Sequence, residues 1–301
     1  MNNEDTIMST LQNKIDFAVI FRVANANPNG DPLNGNRPRT DYSNYGEMSD
    51  VSIKRKIRDR LLERWVNDGK KDDGNMIFVQ SDDRKADDAK SLRARAEAGL
   101  GKELGSDKTA ELACKKWLDV RAFGQLFALK SNKKAGKKNE DGSDAEGDTG
   151  VSIGIRGPVT VQSAFSVEPV DVTSLQITKS VSGEGDGTKR GSDTMGMKHR
   201  VDHGIYVSFG SMNPQLAEKT GFTEADADAI KCLLPKLFEN DESSARPAGS
   251  MEVLKVFWWK HNCKSGQYSS AKVHRTLAVN ADGSYVLSDL DNLSPEQIDG
   301  F

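Results

Sequence analysis

The sequence predicts an α+β fold: a β-α-β-β-α-β core of the RRM-like, or ferredoxin-like, kind that carries insertions. Three observations predict it. An apolar, β-branched run at residues 15–23 is typical of a buried first strand, and an amphipathic helix begins at Ser49. Strand patterns return after residue 150, and a second helix, capped by Thr223, precedes a last strand at residues 251–261.

Length and composition favour a single domain over residues 1–301. Hydrophobic residues make up 36%, and the 27 glycines raise the apolar share to about 45%, close to that of globular domains. The longest apolar runs, 17–21 and 256–259, are far shorter than the roughly 20 residues that span a bilayer. The polar start of the chain lacks a secretory signal pattern. We therefore expect a cytoplasmic protein with no membrane partner.

Charge and cysteine content narrow the function classes only slightly. The formal net charge of -3, from 42 basic and 45 acidic residues, is not that of a typical nucleic-acid protein. Phosphate binding, however, depends on where the basic residues lie rather than on their total. The three cysteines have no C-x-x-C spacing, so neither a disulfide framework nor a zinc site is indicated, and we expect no cofactor and no metal.

A turn-rich loop, NANPNGDPLNGN, follows the first strand at residues 25–36. Asn, Asp, Pro and Gly set turn dihedrals or bond their own backbone, so the loop should be structured. Its Asp31 could coordinate magnesium or act in phosphodiester cleavage. No second carboxylate or general base accompanies it in the spacing, which favours turn capping instead.

The helix that begins at Ser49 has an apolar residue at every fourth position, from Ile53 to Trp65, and this stripe should face the core. Its other faces hold six bases against three acids. Two interpretations remain open: a solvated helix face, or a track for phosphates. The six bases are Lys54, Arg55, Lys56, Arg58, Arg60 and Arg64.

Residues 67–150 form a predicted insertion. It contains a short strand candidate at 76–80, a charged helical stretch at 86–104, and an apolar segment at 119–129 that should return to the core. Residues 131–150 hold four lysines followed by five acids and almost nothing apolar, which predicts a flexible loop. Such blocks are usually solvated; contact between these lysines and nucleic acid is the alternative.

A long hairpin is predicted next, from extended arms at 175–181 and 195–201 around the glycine-rich tip 182–192. Polar residues on both arms prevent burial of both faces, so the hairpin should project. The tip lacks the Gly-Lys-Ser/Thr ending of a phosphate loop. Catalytic patterns are missing as well, since none of the four histidines lies in a metal-binding or nucleophile arrangement. The sequence therefore shows no set of residues that would support the interpretation as a small-molecule enzyme.

Three basic signals flank the predicted sheet: the helix face, the Arg37 and Arg39 pair, and the hairpin arms. Each is weak alone, but RRM-like folds often bind single strands at such a sheet. The aromatic signature that stacks bases in ordinary RRM domains is missing, which argues against base stacking on the sheet itself. Nucleic-acid binding is the function that these signals favour.

Four segments of the chain resemble one known family. NPNGDPLNGNRPR at 27–39 resembles the signature that follows the first strand in backbone subunits of type I CRISPR-associated complexes, called Cascade. DVRAFG at 119–124, GIRGPVTVQSAFS at 154–166 and ENDESSARPAG at 239–249 resemble the same family in the same order. The most similar form is the type I-C (Cas-seven, Csd-type) backbone subunit of the RAMP superfamily.

The resemblance implies an RRM-like palm, helical fingers from residues 67–150, and a β-hairpin thumb from 172–203. It implies several copies stacked head to tail along one CRISPR RNA, with the thumb kinking the guide and the bases between free to pair with target DNA. Other Cascade subunits would be partners. Type I backbone subunits do not cut RNA, so no enzyme activity is expected. The alternative within the superfamily is an endoribonuclease, because type III relatives cut target RNA with an aspartate placed comparably to Asp31.

On this resemblance, two sets of residues are predicted to bind RNA. The phosphate contacts would be Arg22, Asn29, Arg37, Lys54, Arg55 and Arg58. The thumb contacts would be Gln176, Thr178, Lys179, Met195, Lys198, His199 and Arg200, with Met195 as an apolar wedge between bases.

Overall fold

The computed structural model describes residues 9–129, 151–180 and 195–301. The strands are β1 (Ile15–Ala26), β2 (Gly30–Asp31), β3 (Arg37–Pro38), β4 (Tyr45–Met48), β5 (Gly124–Leu129), β6 (Val151–Arg156), β7 (Val159–Val161), β8 (Ala164–Pro169), β9 (Val172–Thr178), β10 (Met195–Met212), β11 (Met251–Lys260), β12 (Leu277–Val279), β13 (Tyr285–Leu287) and β14 (Glu296–Asp299). The α-helices are α1 (Asp50–Asn67), α2 (Leu92–Leu100), α3 (Thr109–Lys116), α4 (Leu118–Phe123), α5 (Pro214–Thr220), α6 (Glu224–Leu233) and α7 (Ser270–His274).

One large antiparallel sheet organises the fold. Its strands follow the order β14-β11-β1-β10-β8-β4, and β7 and β9 pair with β10 outside this path. Every pairing along the path is antiparallel. If β1, β8, β10 and β11 are numbered one to four along the chain, the central order is four, one, three, two. The chain is therefore a mixed α/β protein with a large antiparallel sheet.

The main core lies between one face of this sheet and the helices α1 and α6. Phe17, Val19 and Phe21 of β1 belong to it, because alternate residues of a strand point to the same face. The apolar stripe predicted for α1 is confirmed: from Ile53 to Trp65 its members are at most 7% exposed. The period-four pattern was sufficient here because the helix packs on the sheet along one face.

The insertion has a core of its own. Phe78, Trp117 and Phe127 cluster with apolar side chains of α2 and α3. The strand expected at 76–80 was wrong, since this segment has only an isolated bridge between Met76 and Trp117. Its backbone amides bond elsewhere: Phe78 and Val79 donate to the buried carboxylate of Asp119 at 2.7 and 3.0 Å.

Two of the family-like segments meet at a pair of glycines. A Cβ on Gly157 would lie 2.2 Å from the carbonyl oxygen of Ala122 and 2.5 Å from the amide nitrogen of Gly124. Gly124 itself has φ +82°, a left-handed conformation that favours glycine. The backbones thus pack against each other directly, which explains why DVRAFG and GIRGPV each contain glycine at this point.

The second face of the sheet is covered by the C-terminal part of the chain. Ala18, Phe257 and Trp259 pack against Val273 of α7 and Leu277 of β12. The sequence analysis assigns no element beyond the last predicted strand at residues 251–261. The cover was missed because β12 and β13 have three residues each, too few for a clear periodic pattern.

A buried carboxylate fastens this cover to the sheet. Asp16 of β1 is wholly buried and lies 2.9 Å from both His261 Nε2 and Lys14 Nζ. His261 Nδ1 accepts the backbone N–H of Gln267 at 2.9 Å. On the other side of Asp16, His274 Nε2 lies 3.7 Å from Oδ1. Four side chains from the sheet and the cover therefore converge in one buried cluster.

We expect this cluster to make stability depend on pH. Burial lowers the pKa of His274 below its ordinary value of 6.5, although the Asp16 carboxylate opposes the shift. The unfolded chain therefore binds a proton that the folded chain does not, so the free energy of unfolding should fall as pH drops below 6.5. Urea unfolding at a series of pH values should show a weaker fall for His274→Gln. The matched control is His203→Gln, an exposed position, and equal slopes in both variants would contradict this assignment.

Candidate nucleic-acid interface

The loop between β1 and α1 is held by its own side chains. Asn29 Oδ1 accepts from the backbone N–H of Ser49 at 2.9 Å and from its hydroxyl at 2.8 Å, which fixes the start of α1. Asp31 Oδ1 accepts the N–H of Leu33 at 3.1 Å and lies 3.4 Å from Arg39 Nη2. Asp31 therefore caps the 3-10 turn that follows it, as the turn-capping interpretation predicts. Asn29 and Asp31 therefore both hold the conformation of the loop.

The hairpin extends the main sheet outward. β9 pairs with the first part of β10, from Val172 opposite Val201 to Thr178 opposite Met195. The second part of the same 18-residue β10 pairs with β1. Because one strand continues from the core into the hairpin, the arms have a fixed direction relative to the sheet. The predicted tip, 182–192, lies outside the described residues.

The register assigns the hairpin side chains to two faces. One face holds Leu175 and Ile177 together with Lys198 and Arg200. The other face holds the following polar residues and methionines: Ser174, Gln176, Thr178, Met195, Met197 and His199. The predicted thumb residues are thus split between the two faces, while Lys179 follows the end of β9 and is exposed.

Large apolar side chains are exposed on both hairpin faces. Met195 is 67% exposed, Met197 56%, Ile177 49% and Leu175 43%. A cluster of solvent-exposed apolar side chains commonly marks a binding surface. The sequence prediction contained Met195 but missed the other three. The alternation of apolar residues in VTSLQIT was the available signal, and it was used only to predict a strand.

The loop contacts the hairpin through Arg37. Arg37 Nη1 donates to the hydroxyl of Ser174 at 2.9 Å, and the same hydroxyl lies 2.9 Å from His199 Nδ1. Two predicted RNA-binding residues, Arg37 and His199, are therefore brought together by a serine that the sequence did not indicate. The side chains are 137 and 25 residues apart in sequence from Ser174, so only the fold reveals the connection.

The basic face of α1 is neutralised by acids. Lys54 Nζ lies 2.9 Å from Asp50, and Arg58 Nε lies 3.0 Å from Asp119. The Arg58 side chain is only 15% exposed. Arg55 remains 57% exposed despite pairs with Asp59 and Asp83. The remaining three bases also have acidic partners: Lys56 with Asp241, Arg60 with Glu63, and Arg64 with Asp68.

These ion pairs reduce the number of α1 bases that are available to bind phosphates. Charge counting along the helix included three acids, but Asp83, Asp119 and Asp241 come from distant segments and could not be counted. Of the predicted trio, Arg55 has the most exposed side chain. Phosphate binding by Lys54 and Arg58 stays a prediction. To bind a phosphate, each side chain would have to weaken or break its ion pair with Asp50 or Asp119.

Lys56 joins the segment 239–249 to α1. Burial lowers the pKa of its ammonium to about 8, although Asp241 opposes the shift. Burial would raise the pKa of Asp241, but Lys56 and Arg246 together hold it below its ordinary value. The backbone of this segment is also bonded to the signature loop, since Asn27 N donates to Ala245 O at 2.9 Å. Two family-like segments thus position each other.

The other predicted bases have partners nearby. Arg22 Nε on β1 lies 2.8 Å from Glu252, and Arg200 Nε lies 3.3 Å from Asp202. Both arginine side chains are about two fifths exposed, at 41% and 37%. Within the ranges that the structure describes, no group of three or more His, Cys, Asp or Glu side chains is placed to hold a metal ion. In the same ranges, no helix is long and apolar enough to span a membrane.

The fold and the site define an α/β protein whose candidate interface is an exposed hairpin and the loop that contacts it. The chain belongs to the family of the CRISPR-associated protein Cas7, whose family model matches residues 13–296. The CRISPR-associated protein Cas7 of Haloferax volcanii is 25% identical over 294 residues, which cover 95% of this chain and 81% of the relative.

The chain is also similar to chains of solved structures. A chain of a CRISPR RNA-guided surveillance complex in a pre-nicking state superposes with a TM-score of 0.49 and 16% identity, covering 90% of this chain and 84% of that one. A chain of another CRISPR RNA-guided surveillance complex gives a TM-score of 0.44 and 15% identity, covering 90% and 77%.

Proposed function

We propose that this protein is the CRISPR RNA-binding backbone subunit of a type I-C Cascade surveillance complex in the cytoplasm. Several copies would form a helical filament along the guide RNA and present it for pairing with target DNA, with other Cascade subunits as partners. Membership of the Cas7 family supports a role in CRISPR defence. The observation that carries the RNA contact is the hairpin of β9 and β10, which has exposed apolar side chains as well as the basic residues Lys198 and Arg200.

The hairpin chemistry suits a single-stranded nucleic acid. Met195, Met197 and Ile177 are flexible or branched apolar groups that can cover a base face or separate two stacked bases. Lys198 and Arg200 lie on the same hairpin and can meet the phosphates that flank such a base. A net charge of -3 is compatible with this role, because a local basic track suffices when base pairing reads the sequence.

The parts of the fold support a palm, fingers and thumb. The central strand order four, one, three, two with α1 and α6 on one face is that of a ferredoxin-like sheet, which supports an RRM-like palm. The separate core of the 67–150 insertion supports a finger-like unit. Head-to-tail contacts between different surfaces of successive copies would then build an open filament rather than a closed ring.

Assembly and RNA binding can be tested together. Protein expressed with and without its cognate repeat RNA is run on a sizing column with light scattering and with absorbance at 260 and 280 nm. The proposal expects a nuclease-sensitive RNA that elutes with a multimer of defined mass only when the repeat RNA is present. A nucleic-acid-free monomer, both alone and when co-expressed with the partner subunits, would contradict it.

We further propose that the subunit does not cut RNA. The alternative, an endoribonuclease that uses Asp31, must compete with the contacts of this carboxylate to Leu33 and Arg39. Asp31→Ala should cost about 1 kcal/mol of stability through loss of the turn cap, and should leave bound and complementary RNA intact, as in the unmodified protein. The measurement is gel analysis of labelled RNA with magnesium. A magnesium-dependent cut that Asp31→Ala abolishes would establish the alternative.

A further inference from the structure

The contact between Arg37, Ser174 and His199 is a chain of three polar side chains that joins the signature loop to the hairpin. Ser174 lies directly opposite His199 in the register of β9 and β10. Arg37 lies on β3, which packs against β10. Both distances to the Ser174 hydroxyl are 2.9 Å, within the range of good hydrogen bonds. These three hydrogen-bonded side chains therefore connect the signature loop and the hairpin, the two elements that the proposed function assigns to RNA binding.

The chemistry of the three groups gives the chain a direction. A guanidinium is always charged and can only donate, so an N–H of Arg37 must donate the hydrogen bond to the Ser174 oxygen. A cationic donor polarises the Ser174 hydroxyl, which makes the O–H of Ser174 a stronger hydrogen-bond donor. His199 Nδ1 lies within hydrogen-bond distance of that hydroxyl. Nδ1 can accept from it only in the tautomer that carries its proton on Nε2.

We propose that Ser174 is a positioning residue that fixes the tautomer of His199, so that Nε2–H is presented as a donor to an acceptor oxygen of bound RNA. This inference rests on the proposed function for its ligand, but the tautomer itself exists without RNA. The same hydroxyl also connects the hairpin to Arg37. Loss of Ser174 would thus release the ring of His199 and the guanidinium together.

The tautomer can be measured directly. The protein has four histidines, so ¹⁵N-histidine labelling and long-range proton–nitrogen correlation give four sets of ring signals, with His199 identified by its loss in His199→Gln. At about pH 8, where imidazoles are neutral, the unmodified protein should show His199 as the Nε2–H form. Ser174→Ala should shift it to a mixture of both forms, whereas Ser174→Thr, which keeps the hydroxyl, should restore the Nε2–H form.

A matched control lies in the same sheet. Ser211 of β10 shares a hydroxyl pair with Thr160 at 2.8 Å, so Ser211→Ala removes a similar cross-strand contact away from the hairpin. It should leave the His199 signals unchanged. An Nδ1–H form of His199 in the unmodified protein, or an unchanged spectrum in Ser174→Ala, would overturn the inference.

RNA binding provides a second readout. Ser174→Ala should weaken the affinity for cognate repeat RNA by roughly tenfold, about the value of one charge-assisted hydrogen bond, and Ser174→Thr should recover most of it. Ser211→Ala should bind as the unmodified protein does. If the unmodified protein binds no RNA, the proposed function fails, while the NMR result still decides whether Ser174 sets the tautomer.

Discussion

Replacing Arg121 by methionine is expected to lower the free energy of unfolding by about 3–5 kcal/mol, because it leaves a buried carboxylate without its partner. Arg121 of α4 forms two bonds to Asp226 of α6, at 2.9 Å from Nε and 2.7 Å from Nη2. The two side chains are 10% and 6% exposed. Arg121 also donates to Gly74 O and to Asn75 Oδ1, so the substitution releases the insertion from α6 as well.

Urea unfolding followed by circular dichroism measures this effect. The matched control is Lys115→Met, which removes an ion pair with Glu111 at the surface and should change stability little. The double variant Arg121→Met/Asp226→Leu should recover part of the loss, since no buried charge then remains. Recovery should be partial because Asp226 also accepts the N–H of Thr223 at 2.9 Å in the cap of α6. An Arg121→Met protein as stable as the control would contradict the prediction.

The fold could be predicted where local pattern and burial coincide. The β-branched run of β1 and the four-residue period of α1 each specify one buried face, so the sequence sufficed for both. The segment 76–80 shows the limit. Its apolar residues are typical of a strand, yet the buried Asp119, some 40 residues away, takes the amides that a neighbouring strand would have bonded. A long-range polar contact of this kind has no periodic signal.

The sequence indicated where to look for a candidate site, but not the contacts that the individual side chains make. The resemblance directed attention to Arg37 and to the hairpin arms, and these do lie in contact. The availability of individual charges was not predictable, because Asp119 and Asp241 reach Arg58 and Lys56 from other parts of the chain. The sequence also could not show that Met197 and Ile177 are exposed to solvent. Strand alternation indicates two faces, but not that both faces of a hairpin are in solvent.

The second large effect is expected on RNA affinity. Replacing Met195 and Met197 together by glutamate should weaken binding of cognate repeat RNA by at least about 100-fold, since each apolar contact with a base contributes roughly 1–3 kcal/mol and the new charges repel phosphates. Stability should not change, because the two side chains are 67% and 56% exposed on one hairpin face. Filter binding with labelled RNA measures the affinity, and urea unfolding verifies the fold.

Variants of the same two positions separate apolar contact from charge. Replacement of both methionines by glutamine removes the apolar surface without adding charge, so affinity should fall while its dependence on salt stays the same. Replacement of Lys198 and Arg200 by glutamine should instead reduce the slope of log affinity against log salt, by about 0.7 for each phosphate that is no longer neutralised. Val286→Glu, an exposed apolar position in the C-terminal cover, is the control and should bind normally. Unchanged affinity in the doubly substituted methionine variants would show that the hairpin does not insert between bases, and the exposed methionines would then have to serve a contact with protein.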